Sequence, residues 1–202
     1  MTTIYLIRHG NIDYNLRVPG RQKGLFLSGD GRNQAQSLIR RFGAIPIHAI
    51  YSSPLERAVE TAKPLADNKN IPIEIKEELN EIDFGKWSGL SFEELEKNIE
   101  WKQFHLYRNG CKIPEGENMI KVQLRMIKVV NEIHDSLPEH NVLFFSHNDP
   151  IKSIIAYFLG ISLDQLFRVT ISNGSVSAIS LKKNAVRVLF VATTNKIPLV
   201  AV

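Results

Sequence analysis

The sequence predicts an α/β fold: a three-layer α/β/α sandwich around a mostly parallel central sheet, with a small helical cap inserted. Three observations lead there. Residues 4–7 and 142–145 are short runs of β-branched, leucine and aromatic types, as expected of strands buried on both faces. Between such runs lie stretches with apolar residues at helical spacing, for example Ala35, Leu38, Ile39 and Phe42, or Val122, Met126, Val129, Val130 and Ile133. Strands that alternate with helices stack as a sheet between helical layers.

The elements follow in order. After the first strand, residues 11–29 lack periodicity and hold Pro19, Gly20, Gly24 and Gly29, which predicts a long loop of the kind that is often functional. The helix carrying Ala35 to Phe42 should stop near Gly43, and residues 47–51 read as a second strand ending at Ser52-Ser53. Ser53, Pro54 and Glu56 then resemble a Ser-x-x-Glu capping box with proline at the first helical position. Arg57 would lie in the first turn, where free N–H groups and the helix dipole favour an anion. Pro64 is expected to kink or end that helix, and a short strand is expected over residues 71–75.

Residues 79–85 read as a loop. Ser91 and Glu94 form a second capping box, with a helix expected to run to about Trp101. Trp87, Trp101, Phe104 and Tyr107 gather here with Lys86, Lys102, Arg108 and Lys112, so residues 86–113 are read as a cap insertion over the cleft, its aromatic residues forming its core. Residues 141–146 are the expected central strand. His147 follows at once, Asp149 is the expected cap of the next helix, Pro150 its first residue, and Gly160 its end. A short helix opening at Ser162 and two closing strands, over residues 176–181 and 186–192, complete one domain spanning 1–202.

Composition narrows the function classes. The chain has 202 residues, 44% hydrophobic and 23% charged, an ordinary globular balance with enough length to bury a core. Its formal net charge of +4 is mild and the basic residues are scattered, which suits a small anionic ligand and not a nucleic-acid track. Cys111 is alone, so no internal disulfide is available. Because the first strand is expected to begin almost at once, no signal peptide is expected. Residues 151–161 are interrupted by Lys152 and are too short to span a bilayer, so a cytoplasmic location away from membranes is expected. Asn173-Gly174-Ser175 is read as a turn.

The chemistry-bearing residues sit where strands end. Ligands of open α/β sheets collect outside the carboxyl ends of the strands, and there Arg8-His9-Gly10 and His147 would stand together with Arg57. Two guanidiniums and two imidazoles suit a dianionic phosphoryl group, with a neutral imidazole as nucleophile and the arginines disfavouring its protonation. Each has a plainer alternative: a surface pair with Glu56 or Glu60 for Arg57, and a satisfied core histidine for His147. No phosphate-cradling Gly-x-x-x-x-Gly-Lys-Ser/Thr occurs, and Cys111 lacks an arginine six residues on. His134 and His140 have no partners at metal-ligand spacing.

These residues resemble the histidine phosphatase superfamily, which also contains cofactor-dependent phosphoglycerate mutase. The resemblance rests on Leu6-Ile7-Arg8-His9-Gly10, Asn15, Leu27-Ser28 with Gly31, and Gln34-Ala35. It continues through Ser52-Ser53-Pro54-Leu55-x-Arg57-Ala58, Thr61-Ala62, Leu79-x-Glu81 with Phe84-Gly85, Pro114-x-Gly116-Glu117 and Ser146-His147. It implies that His9 becomes a phosphohistidine while Arg8, Arg57 and His147 hold the phosphoryl oxygens. Glu81 would protonate the leaving alkoxide and later activate water, with Asp83 a rival acid. Asn15, Arg21 and Asn148 complete the expected set as substrate-binding residues. No metal or cofactor is expected. The expected partner is a small phosphorylated metabolite, and a homodimer is left open.

The sequence also departs from that family. Asn11, Ile12 and Tyr14 follow Arg-His-Gly where an acidic residue, Thr or Ser and Trp are frequent, and Asn148-Asp149 replaces a usual Gly-Gly after the second histidine. Mutases of the family commonly follow the acidic residue with Arg-His-Tyr-Gly, whereas Ile82-Asp83-Phe84-Gly85 stands here, and the chain is short for a mutase. Hydrolysis of a phosphomonoester is therefore the leading expectation. The alternatives are a phosphomutase of the same fold and a non-catalytic protein that binds a phosphorylated ligand.

Overall fold

The computed structural model describes residues 1–14, 16–183 and 185–198. Its strands are β1 (Thr2–Arg8), β2 (Ala49–Ser52), β3 (Ile73–Ile75), β4 (Asn141–Ser146), β5 (Val176–Lys182) and β6 (Ala185–Thr193). They form one sheet in the order β3-β2-β4-β1-β5-β6. The first four in that order run parallel, and β5 and β6 turn antiparallel.

The helices are α1 (Gly29–Arg41), α2 (Glu56–Lys69), α3 (Phe92–Leu95), α4 (Ile99–Leu106), α5 (Met119–Ser136) and α6 (Asn148–Leu159). Successive residues of a strand point to opposite faces, and both faces of the central strands are covered. Ile4, Leu6, Val142 and Phe144 pack with Met126, Val130, Ile151 and Ile154 of α5 and α6. Tyr5, Ile7, Leu143 and Phe145 pack on the other side with Leu38, Ala62 and Leu65 of α1 and α2. The unbroken apolar runs of β1 and β4 have this cause. A third cluster of Phe84, Trp87, Leu95, Trp101, Phe104 and Ile113 lies beside Met119, Val122 and Leu166.

Several local expectations are corrected. Ser53 does not cap α2: the cap position is Leu55, without a side-chain bond, and the Ser53 hydroxyl is drawn to His147 instead. Pro64 does not end α2, which runs on to Lys69, because its inner face (Ala58, Thr61, Ala62, Leu65, Ala66) is buried on both sides of the proline. The helix that opens with the Ser91–Glu94 capping box stops at Leu95, and Asn98 caps a separate α4 through the N–H groups of Glu100 and Trp101. α6 begins at Asn148, so Pro150 is its third residue and Asp149 lies inside the first turn with its carboxylate directed elsewhere. Among the described residues no helix is long and apolar enough to cross a membrane.

Candidate active site

Strand register brings the histidines together. Arg8 of β1 pairs with Ser146 of β4, so His9 and His147 leave adjacent parallel strands side by side, their ring centroids 5.1 Å apart. β2 flanks β4 on its other side, with Ser52 opposite Phe145, which delivers Ser53 next to His147 and starts α2 with Arg57 behind it. Three strand ends thus place residues from distant parts of the chain in one spot, as open α/β sheets do.

His9 is buried, and its Nδ1 lies 2.7 Å from the Gly10 carbonyl. A carbonyl only accepts, so Nδ1 carries the proton and Nε2 presents a lone pair. Asn173 secures that carbonyl region: its amide donates to the carbonyls of His9 and Gly10 at 3.2 and 3.3 Å. Burial, then Arg57 and Arg8, hold the His9 imidazole well below its ordinary pKa, and so neutral. Gly10 is pinned by its N–H to Thr61 Oγ1 at 2.9 Å and passes against the first turn of α1. A Cβ on Gly10 would lie 2.6 Å from the Gly31 carbonyl oxygen, so the close approach is to backbone. Gly10→Ala is expected to cost about 1–3 kcal/mol of stability, which chemical denaturation would measure; an unchanged midpoint would contradict it.

Arg57 is wholly buried, donating from Nη2 to the Gly20 carbonyl at 2.7 Å and from Nη1 to that of Gln22 at 3.4 Å. Among the described residues it makes no surface pair: Glu60 binds Arg32 and the Leu27 N–H, and Glu56 takes the Gly24 N–H. Arg8 donates from Nη1 to the Ile171 carbonyl at 2.5 Å. His147 is fully buried, with Nε2 at 2.8 Å from Ser53 Oγ. Burial, with Arg57 next, keeps its ring neutral as well. Among the described residues, Arg8 Nε, Arg57 Nε and His147 Nδ1 are buried without a hydrogen-bond partner. Leaving a buried polar group unpaired costs about 1–3 kcal/mol, so nitrogens gathered in this way mark a place suited to an anion.

Glu81 closes the other side. One oxygen, Oε1, accepts from the Ile82 N–H at 2.9 Å. Its carbonyl accepts from Arg21 Nε and Arg125 Nη2, and Glu117 ties those two arginines together through ion pairs of 2.9 and 3.0 Å. Burial first, then the Asp149 charge, push its carboxyl up to about 7, against the pull of the Ile82 N–H, Arg57 and Arg8.

A cavity of about 330 Å³ opens over Arg8, His9 and Glu81. Asn148, Asp149 and Asn173 also line it, as do the aromatic residues Tyr14, Phe84, Phe92 and Trp101 and the basic residues Arg17, His105 and Arg108. The buried Asp149 carboxylate does not cap α6 but accepts from Arg108 Nη1 at 2.8 Å. Arg108 in turn lies over the Phe104 ring and reaches His105. The negative charge that Asp149 adds beside the anion site is thereby offset.

The site therefore gathers Arg8, His9, Arg57, Glu81 and His147, with Asn148 on the cavity wall. Arg21 is not among the cavity-lining residues, and neither are Arg57 and His147; its guanidinium donates to the Glu81 carbonyl and to Glu117. Asn15 lies outside the described residues. Asp83 accepts from the Gly85 N–H and does not line the cavity. Of the basic residues of the cap, Arg108 reaches the cavity, Lys86 pairs with Glu115, and Lys112 is exposed. The parts played by Ser53, Asp149, Arg125 and Asn173 were not legible in sequence, since each has a local explanation there as a cap, a helix residue or a turn. Among the described residues no three His, Cys, Asp or Glu side chains converge as a metal site.

Comparison with known proteins agrees with this geometry. The sequence matches the model of the histidine phosphatase superfamily (branch 1) over residues 4–194. Phosphoserine phosphatase 1 of Hydrogenobacter thermophilus is 29% identical over 188 residues, 91% of this chain and 88% of the relative. The 2,3-bisphosphoglycerate-dependent phosphoglycerate mutase of Thermoplasma acidophilum is also 29% identical, covering 90% of this chain and 88% of the mutase. Among solved structures, Bacillus stearothermophilus YhfR superposes with a TM-score of 0.88 at 31% identity, covering 94% of this chain and 96% of that one.

Proposed function

The chain belongs to the histidine phosphatase superfamily, and on that footing we propose that it hydrolyses a small phosphomonoester through a phosphohistidine on His9. The observation that carries the reading is the His9 ring itself: Nδ1 is spent on the Gly10 carbonyl, which leaves Nε2 to act, the His147 ring lies 5.1 Å away, and burial with Arg57 and Arg8 holds the imidazole neutral. Phosphoryl transfer needs little covalent help beyond a nucleophile; positioned donors stabilise charge on the equatorial oxygens.

In the first step His9 Nε2 forms a bond to phosphorus as the ester oxygen departs, and the protonated Glu81 gives that oxygen its proton. In the second step Glu81, now a carboxylate, takes a proton from water as the water oxygen attacks phosphorus and the P–N bond breaks. A carboxyl with a pKa of about 7 can fill both roles near neutral pH. Arg21, Arg125 and Glu117 serve as positioning residues that hold the Glu81 segment. Residues 86–113 serve as a cap that supplies Trp101 and Arg108 to the leaving-group side, and Asn148 contacts the substrate from the first turn of α6.

The relatives include a phosphoserine phosphatase and a phosphoglycerate mutase, so phosphorylated three-carbon acids and amino acids are the first substrates to try. Labelling with a ³²P-phosphomonoester in EDTA and quenching in alkali should trap a phosphohistidine that acid destroys. Loss of label with net phosphate release marks a hydrolase, whereas label returned to a second hydroxyl marks a mutase. No label at any time would leave only a binding protein.

A further inference from the structure

We propose that Ser53 is a positioning residue that holds His147 with its proton on Nδ1. The two neighbouring histidines then present opposite faces to a phosphoryl group: a lone pair from His9 Nε2 and an N–H from His147 Nδ1. The assignment follows from counting donors and acceptors around one hydroxyl. Ser53 Oγ lies 2.8 Å from His147 Nε2 and also accepts from the Leu55 N–H at 3.3 Å. Among the described residues it has no other partner. The hydroxyl proton can therefore be used only on Nε2, which must then be the unprotonated nitrogen. The opposite arrangement would strand the Ser53 proton without an acceptor, because Nε2–H would itself donate to the hydroxyl.

The strand ends make this bond rigid. The Ser53 N–H donates to the Phe145 carbonyl at 2.9 Å, two residues before His147. Ser52 Oγ donates to the Ser53 carbonyl at 2.9 Å, and both serines are wholly buried. His147 itself opens α6 without any side-chain capping bond, so its ring answers to Ser53 alone. A second partner that fixes which nitrogen carries the proton is the usual way a working histidine is tuned. Why the Nδ1–H matters depends on the phosphatase reading above; the tautomer itself does not.

The test is long-range ¹H–¹⁵N correlation spectroscopy of the ligand-free full chain labelled at histidine, with His147 assigned by its loss in His147→Gln. His147 should show a protonated Nδ1 and a bare Nε2. In Ser53→Ala the pattern should move toward Nε2–H or a mixture, kcat on an aryl phosphate should fall about tenfold, and Ser53→Thr should recover part of both. If Ser53→Ala does not fold, the wild-type spectrum decides by itself. A protonated Nε2 in the wild type, or a spectrum unmoved by Ser53→Ala, overturns the assignment even if phosphohistidine is trapped. The expected tautomer without any phosphohistidine would instead overturn the hydrolase reading and leave the Ser53 bond standing.

Discussion

His9→Ala is expected to lower turnover of an aryl phosphate in EDTA by about 10⁴-fold, because it removes the atom that must bond to phosphorus. The cationic pocket survives that change. Arg57 is held by the Gly20 and Gln22 carbonyls and Arg8 by that of Ile171, none of which involves the His9 side chain. Inorganic phosphate or vanadate should therefore still bind, within about tenfold of wild type. That split between binding and turnover is the signature of a lost nucleophile. A His9→Ala protein that keeps more than a tenth of wild-type turnover would rule out the phosphohistidine route altogether.

Glu81→Gln should have the next largest effect, and its size should depend on the leaving group. A general acid contributes about 10²–10⁴-fold when the departing oxygen is basic. Serine-like or glycerate-like alkyl phosphates should lose that much, whereas p-nitrophenyl phosphate, whose phenolate leaves unaided, should lose far less in the first step. The second step still lacks its base, so the variant should release a burst of nitrophenolate equal to the enzyme present and then slow. The pH profile gives an independent sign. Burial and Asp149 raise the Glu81 carboxyl to about 7, so it holds its proton below that value and loses it above. First-step rates on alkyl phosphates should accordingly fall as pH rises through about 7, and Glu81→Gln should erase that limb. Burial and the flanking arginines keep His9 neutral well below pH 6.5, so no loss from His9 protonation is expected near neutrality. An alkyl-phosphate profile identical in the two proteins would remove Glu81 from the acid role.

Much of this was legible without coordinates. β4 was readable as a doubly covered strand because five of its six residues are buried, four of them apolar, as the run Val142-Leu143-Phe144-Phe145 implies. The chemistry at strand ends was readable because a sheet of this class must deliver its strand-end residues to one edge. Local signals failed where a side chain had two uses of similar strength. Ser53 has the spacing of a cap, yet its hydroxyl goes to a buried imidazole, whose nitrogen would be costly to leave unmet. Asp149 likewise could have capped α6, but a buried carboxylate is stabilised better by the Arg108 guanidinium than by backbone dipoles. Arg21, near the expected phosphate residues in sequence, went to Glu81 and Glu117 because loop geometry carried it behind the acid.

The amino-acid order alone determined the family, the layered α/β architecture and which side chains to expect at the strand ends, since periodicity and strand-end position are local properties of the chain. Only the tertiary structure decided how those side chains are employed. Which imidazole nitrogen is free, which carboxyl stays protonated and which cation is already paired all depend on neighbours such as Gly10, Asp149 and Asp149's partner Arg108 in three dimensions. Protonation and hydrogen bonding respond to burial and to charges a few ångströms away, and sequence separation carries no record of those distances.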